Sequence, residues 1–86
     1  MAQVEIYCSM LCPYCYQAKK LLDSKGVDYE ETDVLMKPGK RAEMVERAGG
    51  KTSVPQIFIS GAHIGGAQEL QALDEAGKLD GLLAAP

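Results

Sequence analysis

Val4-Glu5-Ile6-Tyr7-Cys8-Ser9-Met10-Leu11-Cys12-Pro13-Tyr14-Cys15 is the stretch on which the fold turns. Its first five residues alternate with period two and are rich in β-formers, which predicts a strand over 4–8. After a short connection, Cys15, Ala18, Leu21 and Leu22 recur at helical spacing. Pro13 suits the first helical position, where its missing N–H costs nothing, and Lys25-Gly26 suit the last turn and the C-terminal cap. A helix over about 13–25 follows. The chain therefore runs from a strand into a helix with two cysteines at the junction.

Working outward, residues 27–34 read as a second, more polar strand. A helix over about 38–48 has Met44, Val45 and Ala48 as its apolar side and Gly49-Gly50 as its stop. Residues 55–59 form the most apolar run and predict a buried strand. Ser60-Gly61 or Gly61-Ala62 turns that strand into a short antiparallel partner over 62–64. Gly65-Gly66 precedes a helix carrying Leu70, Leu73 and Ala76 and ending at Gly77. Leu79, Leu82 and Leu83 predict a last helical turn or two packed back on the body. The order is β-α-β-α-β-β-α plus a helical extension. Strands joined through a helix lie parallel by a right-handed crossover, and the late hairpin adds an antiparallel edge. The expected class is α/β: a four-stranded mixed sheet with helices on both faces.

The 86 residues predict one domain, 1–86, with one modest core. Apolar residues are 47%, charged residues 24% and the net charge is −3, the balance of a soluble globular chain. Nothing in it marks a nucleic-acid binder. No apolar stretch approaches the roughly 18 residues of a membrane span, and the opening residues lack the basic and apolar regions of a signal peptide. The expectation is a cytoplasmic protein, monomeric, with no nucleic-acid or membrane partner. Three cysteines crowded into residues 8–15 are not the spread framework of a small secreted domain.

Cys12-Pro13-Tyr14-Cys15 has three readings: half of a metal site, a redox pair, or packing. A four-thiolate zinc site needs a second matching pair; only Cys8 and a distant His63 remain, so no metal is expected. Packing suits Cys8, because a free cysteine behaves as a small hydrophobe, but suits Cys12 poorly. Cys12 falls at the mouth of a helix, where N–H groups lack intrahelical partners and the effective charge is positive. Those donors stabilise a thiolate far more than a thiol. An ordinary thiol with a pKa near 8.5 is only about 3% ionised at neutral pH, so a site that selects the anion activates the nucleophile. Cys15 is one turn further in and on the same face, where it can resolve a mixed disulfide formed on Cys12. The redox reading fits both residues: Cys12 as nucleophile, Cys15 as resolving thiol.

With these motifs in place, the chain resembles a glutaredoxin, specifically a short bacterial dithiol member. The resemblance spans nearly the whole chain. It rests on residues 4–7, on Cys12-Pro13-Tyr14-Cys15, on Ser53-Val54-Pro55-Gln56-Ile57-Phe58-Ile59 and on His63-Ile64-Gly65-Gly66. It implies a thioredoxin fold, reduction of disulfide-containing or glutathionylated proteins with glutathione as co-substrate, and a glutathione mixed disulfide on Cys12. It also implies a cis Val54–Pro55 bond and a Val54 backbone that pairs with the extended tripeptide like an added strand; on the residues alone, Pro55 is simply the first residue of a strand. The helix start at Gly66, Ala67 and Gln68 would hold the γ-glutamyl carboxylate, although Gly65-Gly66 alone reads as an ordinary turn. Ser53 fills a position where the family usually has threonine, and Tyr14 would lay its ring beside the bound peptide. Where the family commonly has a lysine after the first strand, this chain has Ser9-Met10-Leu11. Arg41 matches a family position that contacts the glycyl carboxylate; alone, it reads equally as a residue of a solvated helix face. Two rival roles follow from the same resemblance: an electron donor served by thioredoxin reductase, and an iron–sulfur carrier held by Cys12 from each of two chains with two glutathiones.

Overall fold

A computed structural model describes residues 2–85. The elements are β1 (Val4–Cys8), α1 (Pro13–Ser24), β2 (Glu30–Asp33), α2 (Pro38–Arg47), β3 (Gln56–Ile59), β4 (Ala62–Gly65), α3 (Ala67–Glu75) and α4 (Leu79–Ala84). They form one four-stranded sheet in the order β2-β1-β3-β4, with β1 and β2 parallel and the other neighbours antiparallel. The expected α/β class and mixed sheet are thus found. The fold is the thioredoxin-like fold expected from the resemblance.

The period-two pattern sorts β1 and β3 between two cores. Val4, Ile6, Cys8, Ile57 and Ile59 join Cys15, Ala18 and Leu22 of α1, Leu70 of α3, and Leu79 and Leu83 of α4. Tyr7 and Phe58 point the other way and meet Val34, Met44 and Ala48. Full burial of side chains of this size stabilises the fold by about 1.5–3 kcal/mol each. On the second face Arg47 lies over the Phe58 ring, 4.1 Å from its centroid, and pairs with Glu5 at 2.5 Å. The short α4 is held by its buried leucines and by Lys25 at the end of α1, whose ammonium reaches Asp74 and Asp80.

One strand is shorter than its pattern predicts. Residues 27–34 read as strand, yet β2 pairs only from Glu30 to Asp33, against Glu5 to Cys8. Val27 is buried in the first core while still part of the connection. Its apolar character reports that burial, not a place in the ladder.

The hairpin turns at Ser60-Gly61, one of the two expected pairs, with Ile59 facing Ala62. Both central residues have positive φ, 52° and 82°, as a two-residue type I′ turn requires. Asparagine tolerates that region better than serine. Ser60→Asn should therefore raise the free energy of unfolding by about 0.5 kcal/mol. Urea denaturation checks it, and an unchanged or lower midpoint would contradict the turn assignment.

Candidate active site

Cys12 is the N-cap of α1: its backbone is extended (φ −109°, ψ 110°) and Pro13 opens the helix. The Cys15 N–H donates to Cys12 Sγ at 3.2 Å. The sulfur thus fills the acceptor role that Ser, Thr, Asp or Asn usually plays at this position. No acidic side chain stands in the first turn to compete with it. From the far side of the chain the Val54 carbonyl comes within 3.6 Å of the same sulfur and accepts its proton when it is a thiol. The Val54–Pro55 bond is cis. Cys12 is half-buried, whereas Cys15 is 1% exposed.

The three thiols have three environments. Burial pushes the Cys15 thiol up, and its hydrogen bond to Cys12 and the charge there push it further. Cys8, 1% exposed, donates to the Glu31 carboxylate at 3.3 Å, which also pairs with Lys19. Burial first, then the Glu31 hydrogen bond, push the Cys8 thiol up to about 12.

Val54, whose carbonyl faces Cys12 Sγ, also lines an open hollow of about 410 Å³. Tyr14, Ser53, Val54, Pro55, Gly66, Ala67 and Gln68 all line it, so the structure brings together seven of the residues singled out in the sequence. Neither Cys12 nor Arg41 is among them. Arg41 stands apart. It is exposed on α2, donates to the Thr52 carbonyl at 3.0 Å, and borders a second hollow on the other side of Val54. Among the described residues, no three His, Cys, Asp or Glu side chains gather where they could hold a metal ion.

Sequence reasoning passed over several residues that shape this site. Gln17 and Gln71 line the hollow; each lies on the same helix face as a predicted residue, Gln17 three after Tyr14 and Gln71 four after Ala67, so helical arithmetic would have found them. Glu69 folds back to accept the Gly66 N–H at 2.7 Å. The usual capping-box signature is missing because glycine has no side chain to complete it. Gly65 makes room for this contact: its φ is 121°, and a Cβ there would meet the Glu69 carboxylate at 2.7 Å. Gln56, 1% exposed, donates from Nε2 to the Ser53 carbonyl at 3.0 Å while its Oε1 meets His63 Nε2 at 2.6 Å. This amide ties the Ser53-Val54 backbone to the hairpin, and no pattern in the sequence marks it. His63 is an exposed residue of β4.

A thioredoxin-like fold with a Cys-x-x-Cys pair at the mouth of its first helix defines a thiol–disulfide oxidoreductase. Residues 4–64 match the family model described as Glutaredoxin. Glutaredoxin 3 of Escherichia coli K12 is 54% identical over 83 residues, covering 96% of this chain and 99% of that protein. Among solved structures, glutaredoxin from Brucella melitensis is 49% identical with a TM-score of 0.84, over 96% of this chain and 89% of that one. A buckwheat glutaredoxin–glutathione complex superimposes with a TM-score of 0.87 at 28% identity, over 95% of this chain and 76% of that one. The chain belongs to the glutaredoxin family and is an enzyme of thiol–disulfide exchange.

The buried thiols give the site's surroundings an alkaline limit. The folded chain favours neutral Cys8 more than the unfolded chain does, with its thiol moved from 9.0 up to about 12. Its contribution to stability is therefore intact below about pH 9 and is lost as pH rises towards 12. Cys8→Ala should flatten the decline of unfolding free energy across that window, whatever its effect at neutral pH. Urea midpoints measured against pH check it; an equally steep decline in the variant would refute the assignment.

Proposed function

We propose that this chain is a glutathione-dependent thiol–disulfide oxidoreductase that reduces protein disulfides and glutathionylated proteins. The Cys15 N–H hydrogen bond to Cys12 Sγ carries the reading. A donor fixed on the sulfur favours the thiolate over the thiol, and the half-buried position leaves it open to a substrate.

The Cys12 thiolate attacks one sulfur of a substrate disulfide. The S–S bond breaks, the other sulfur departs as a thiolate and takes a proton, and a mixed disulfide remains on Cys12. Cys15 then attacks Cys12 Sγ, the substrate's second sulfur leaves, and a Cys12–Cys15 disulfide holds the two electrons' worth of oxidation. Forming the mixed disulfide removes the thiolate charge and hydrogen bond that raise the Cys15 thiol. Its proton is thus released more easily at the step that needs it. One glutathione thiolate reopens the disulfide as a mixed disulfide on Cys12, and a second releases oxidised glutathione. A glutathionylated protein enters the same cycle with glutathione left on Cys12.

The tripeptide lies along Val54 in the hollow beside Cys12, pairing with its backbone next to Pro55. Its γ-glutamyl carboxylate meets the helix start at Gly66, Ala67 and Gln68, while Ser53 and the Tyr14 ring flank it. The shared lining of one hollow supports this placement, as does the buckwheat relative solved with glutathione. Glu69 already takes the Gly66 N–H, so the Ala67 and Gln68 amides carry more of the carboxylate. Arg41 reaches the glycyl carboxylate from across Val54. We assign the enzyme to the cytoplasm, acting as a monomeric single domain.

Two measurements test the reading. The alkylation rate of Cys12 at neutral pH, in wild type and Cys15→Ser, should exceed that of free cysteine; a rate no faster than that of free cysteine would overturn it. A glutathione-coupled disulfide assay should show turnover that Cys12→Ser abolishes, whereas turnover only with a thioredoxin reductase would favour the rival donor role. Ser9→Lys restores a cation near the sulfur, and should slow glutathione release from the mixed disulfide by about threefold to tenfold. Stopped-flow release kinetics check it, and no change would argue against the carboxylate placement.

A further inference from the structure

Among the described residues, Gln56 is the one amide side chain that is buried. A buried amide brings two N–H donors and a carbonyl acceptor that all need partners. Its Nε2 lies 3.0 Å from the Ser53 carbonyl and 3.3 Å from Ser53 Oγ, and its Oε1 lies 2.6 Å from His63 Nε2. A carbonyl can only accept, so the nitrogen end of the amide must face Ser53. The oxygen end then faces His63, whose Nε2 must carry a proton to meet it. The exposed His63 ring packs in turn on Phe58, with centroids 5.1 Å apart. His63, Gln56 and Ser53 therefore form one directed chain of donors and acceptors.

That chain decides what the neighbouring backbone offers. The cis bond here is Val54–Pro55, and the Ser53–Val54 bond before it is trans. Across a trans peptide, C=O and N–H point in opposite directions. With the Ser53 carbonyl held inward on Gln56, the Val54 N–H is turned outward. Ser53 Oγ accepts from the same amide, so its own O–H turns away from Gln56. Ser53 and Val54 both line the hollow that also takes in Gly66 and Gln68. One buried amide thus gives this loop an outer edge of two donors.

We infer that Gln56, held by His63, is a positioning residue for the glutathionyl group: it turns the Val54 N–H and the Ser53 O–H outward as a fixed pair of donors. The inference rests on the proposed placement of the tripeptide along Val54, and adds what makes that edge a donor edge. Gln56 is buried and acts through Ser53 and Val54 alone. A glutathionyl group brings peptide oxygens to those donors, whereas a hydroxyethyl group brings no peptide. The relay therefore favours glutathione disulfides selectively and does not set the reactivity of Cys12 towards disulfides in general.

The test follows oxidation of the reduced protein by glutathione disulfide and by 2-hydroxyethyl disulfide, quenched with acid and read as free thiols remaining. In each reaction Cys12 attacks, one thiol leaves, Cys15 displaces the second, and a Cys12–Cys15 disulfide results. The two reactions differ in the group offered to the donor edge. Gln56→Leu should lower the ratio of rate constants, glutathione disulfide over hydroxyethyl disulfide, by about threefold to tenfold. His63→Phe keeps a ring against Phe58 and should lower the same ratio by a smaller factor; it carries the test should Gln56→Leu fail to fold. Ser53→Ala should cost less in the Gln56→Leu background than in wild type, because the two act as a unit. An unchanged ratio in either folded variant, or a loss shared equally by both disulfides, would overturn the inference. Should wild type react with both disulfides at equal rates, the proposed function fails instead. Backbone 15N relaxation then decides the relay: order parameters of the Ser53 and Val54 amides that fall from about 0.85 in wild type to below about 0.6 in the variant support it, and equal values remove it.

Discussion

The opening of an α-helix leaves backbone N–H groups that need acceptors, and here one of them is satisfied by the sulfur of Cys12. The same contact serves two needs. It caps α1, and it supplies the donor that an anionic sulfur requires. A serine in this position would cap the helix equally well and would have no redox chemistry. The helix therefore selects a small polar cap, and the chemistry selects which one. Because the cap is a sulfur, any change in its bonding acts on the helix start: a disulfide sulfur accepts hydrogen bonds far more weakly than a thiolate.

Everything else around the sulfur is arranged from a distance. Val54 lies 42 positions along the chain from Cys12, and its carbonyl reaches the sulfur only because β3 pairs antiparallel with β1. The loop carrying Val54 is fastened from within by Gln56, a buried amide whose two ends hold Ser53 and His63. A buried polar group must find partners or destabilise the fold, so this glutamine holds its neighbours in one arrangement. Loop position here is a consequence of hydrogen-bond satisfaction, not of packing alone.

The parts of the fold carried by local pattern were legible in the sequence. The period-two run of β1, the helical spacing of α1 and the turn residues at Ser60-Gly61 each encode a local backbone preference, and each element formed where that preference lies. Residues 27–29 misled because the apolar side chain of Val27 answers to the core and not to strand pairing. The Cys-x-x-Cys pair announced itself through spacing. Its meeting with Val54 did not, since that depends on strand order and register. Gln56 and Glu69 were illegible for another reason: their roles are set by hydrogen-bond partners, and the same residue types serve equally well on a solvated surface. Most of the hollow that Val54 lines was named through the resemblance, while helix geometry alone would have added Gln17 and Gln71.

Three copies of one functional group occupy eight consecutive positions, and the fold gives each a different fate. Cys8 and Cys15 are equally buried, at 1% exposure, and burial is the first cause that raises both. They differ in what faces them. Cys8 meets a carboxylate that is itself paired with Lys19, a partner that holds its proton under all conditions in which Glu31 is charged. Cys15 meets Cys12, a sulfur whose hydrogen bond and any charge it carries would be lost in a disulfide. The hold on the Cys15 proton is therefore conditional on the state of its neighbour, and the hold on Cys8 is not. Sequence spacing alone would permit Cys8 to take part in exchange. A carboxylate facing one thiol and a second sulfur facing the other distinguish two equally buried cysteines, without any difference in the side chains themselves.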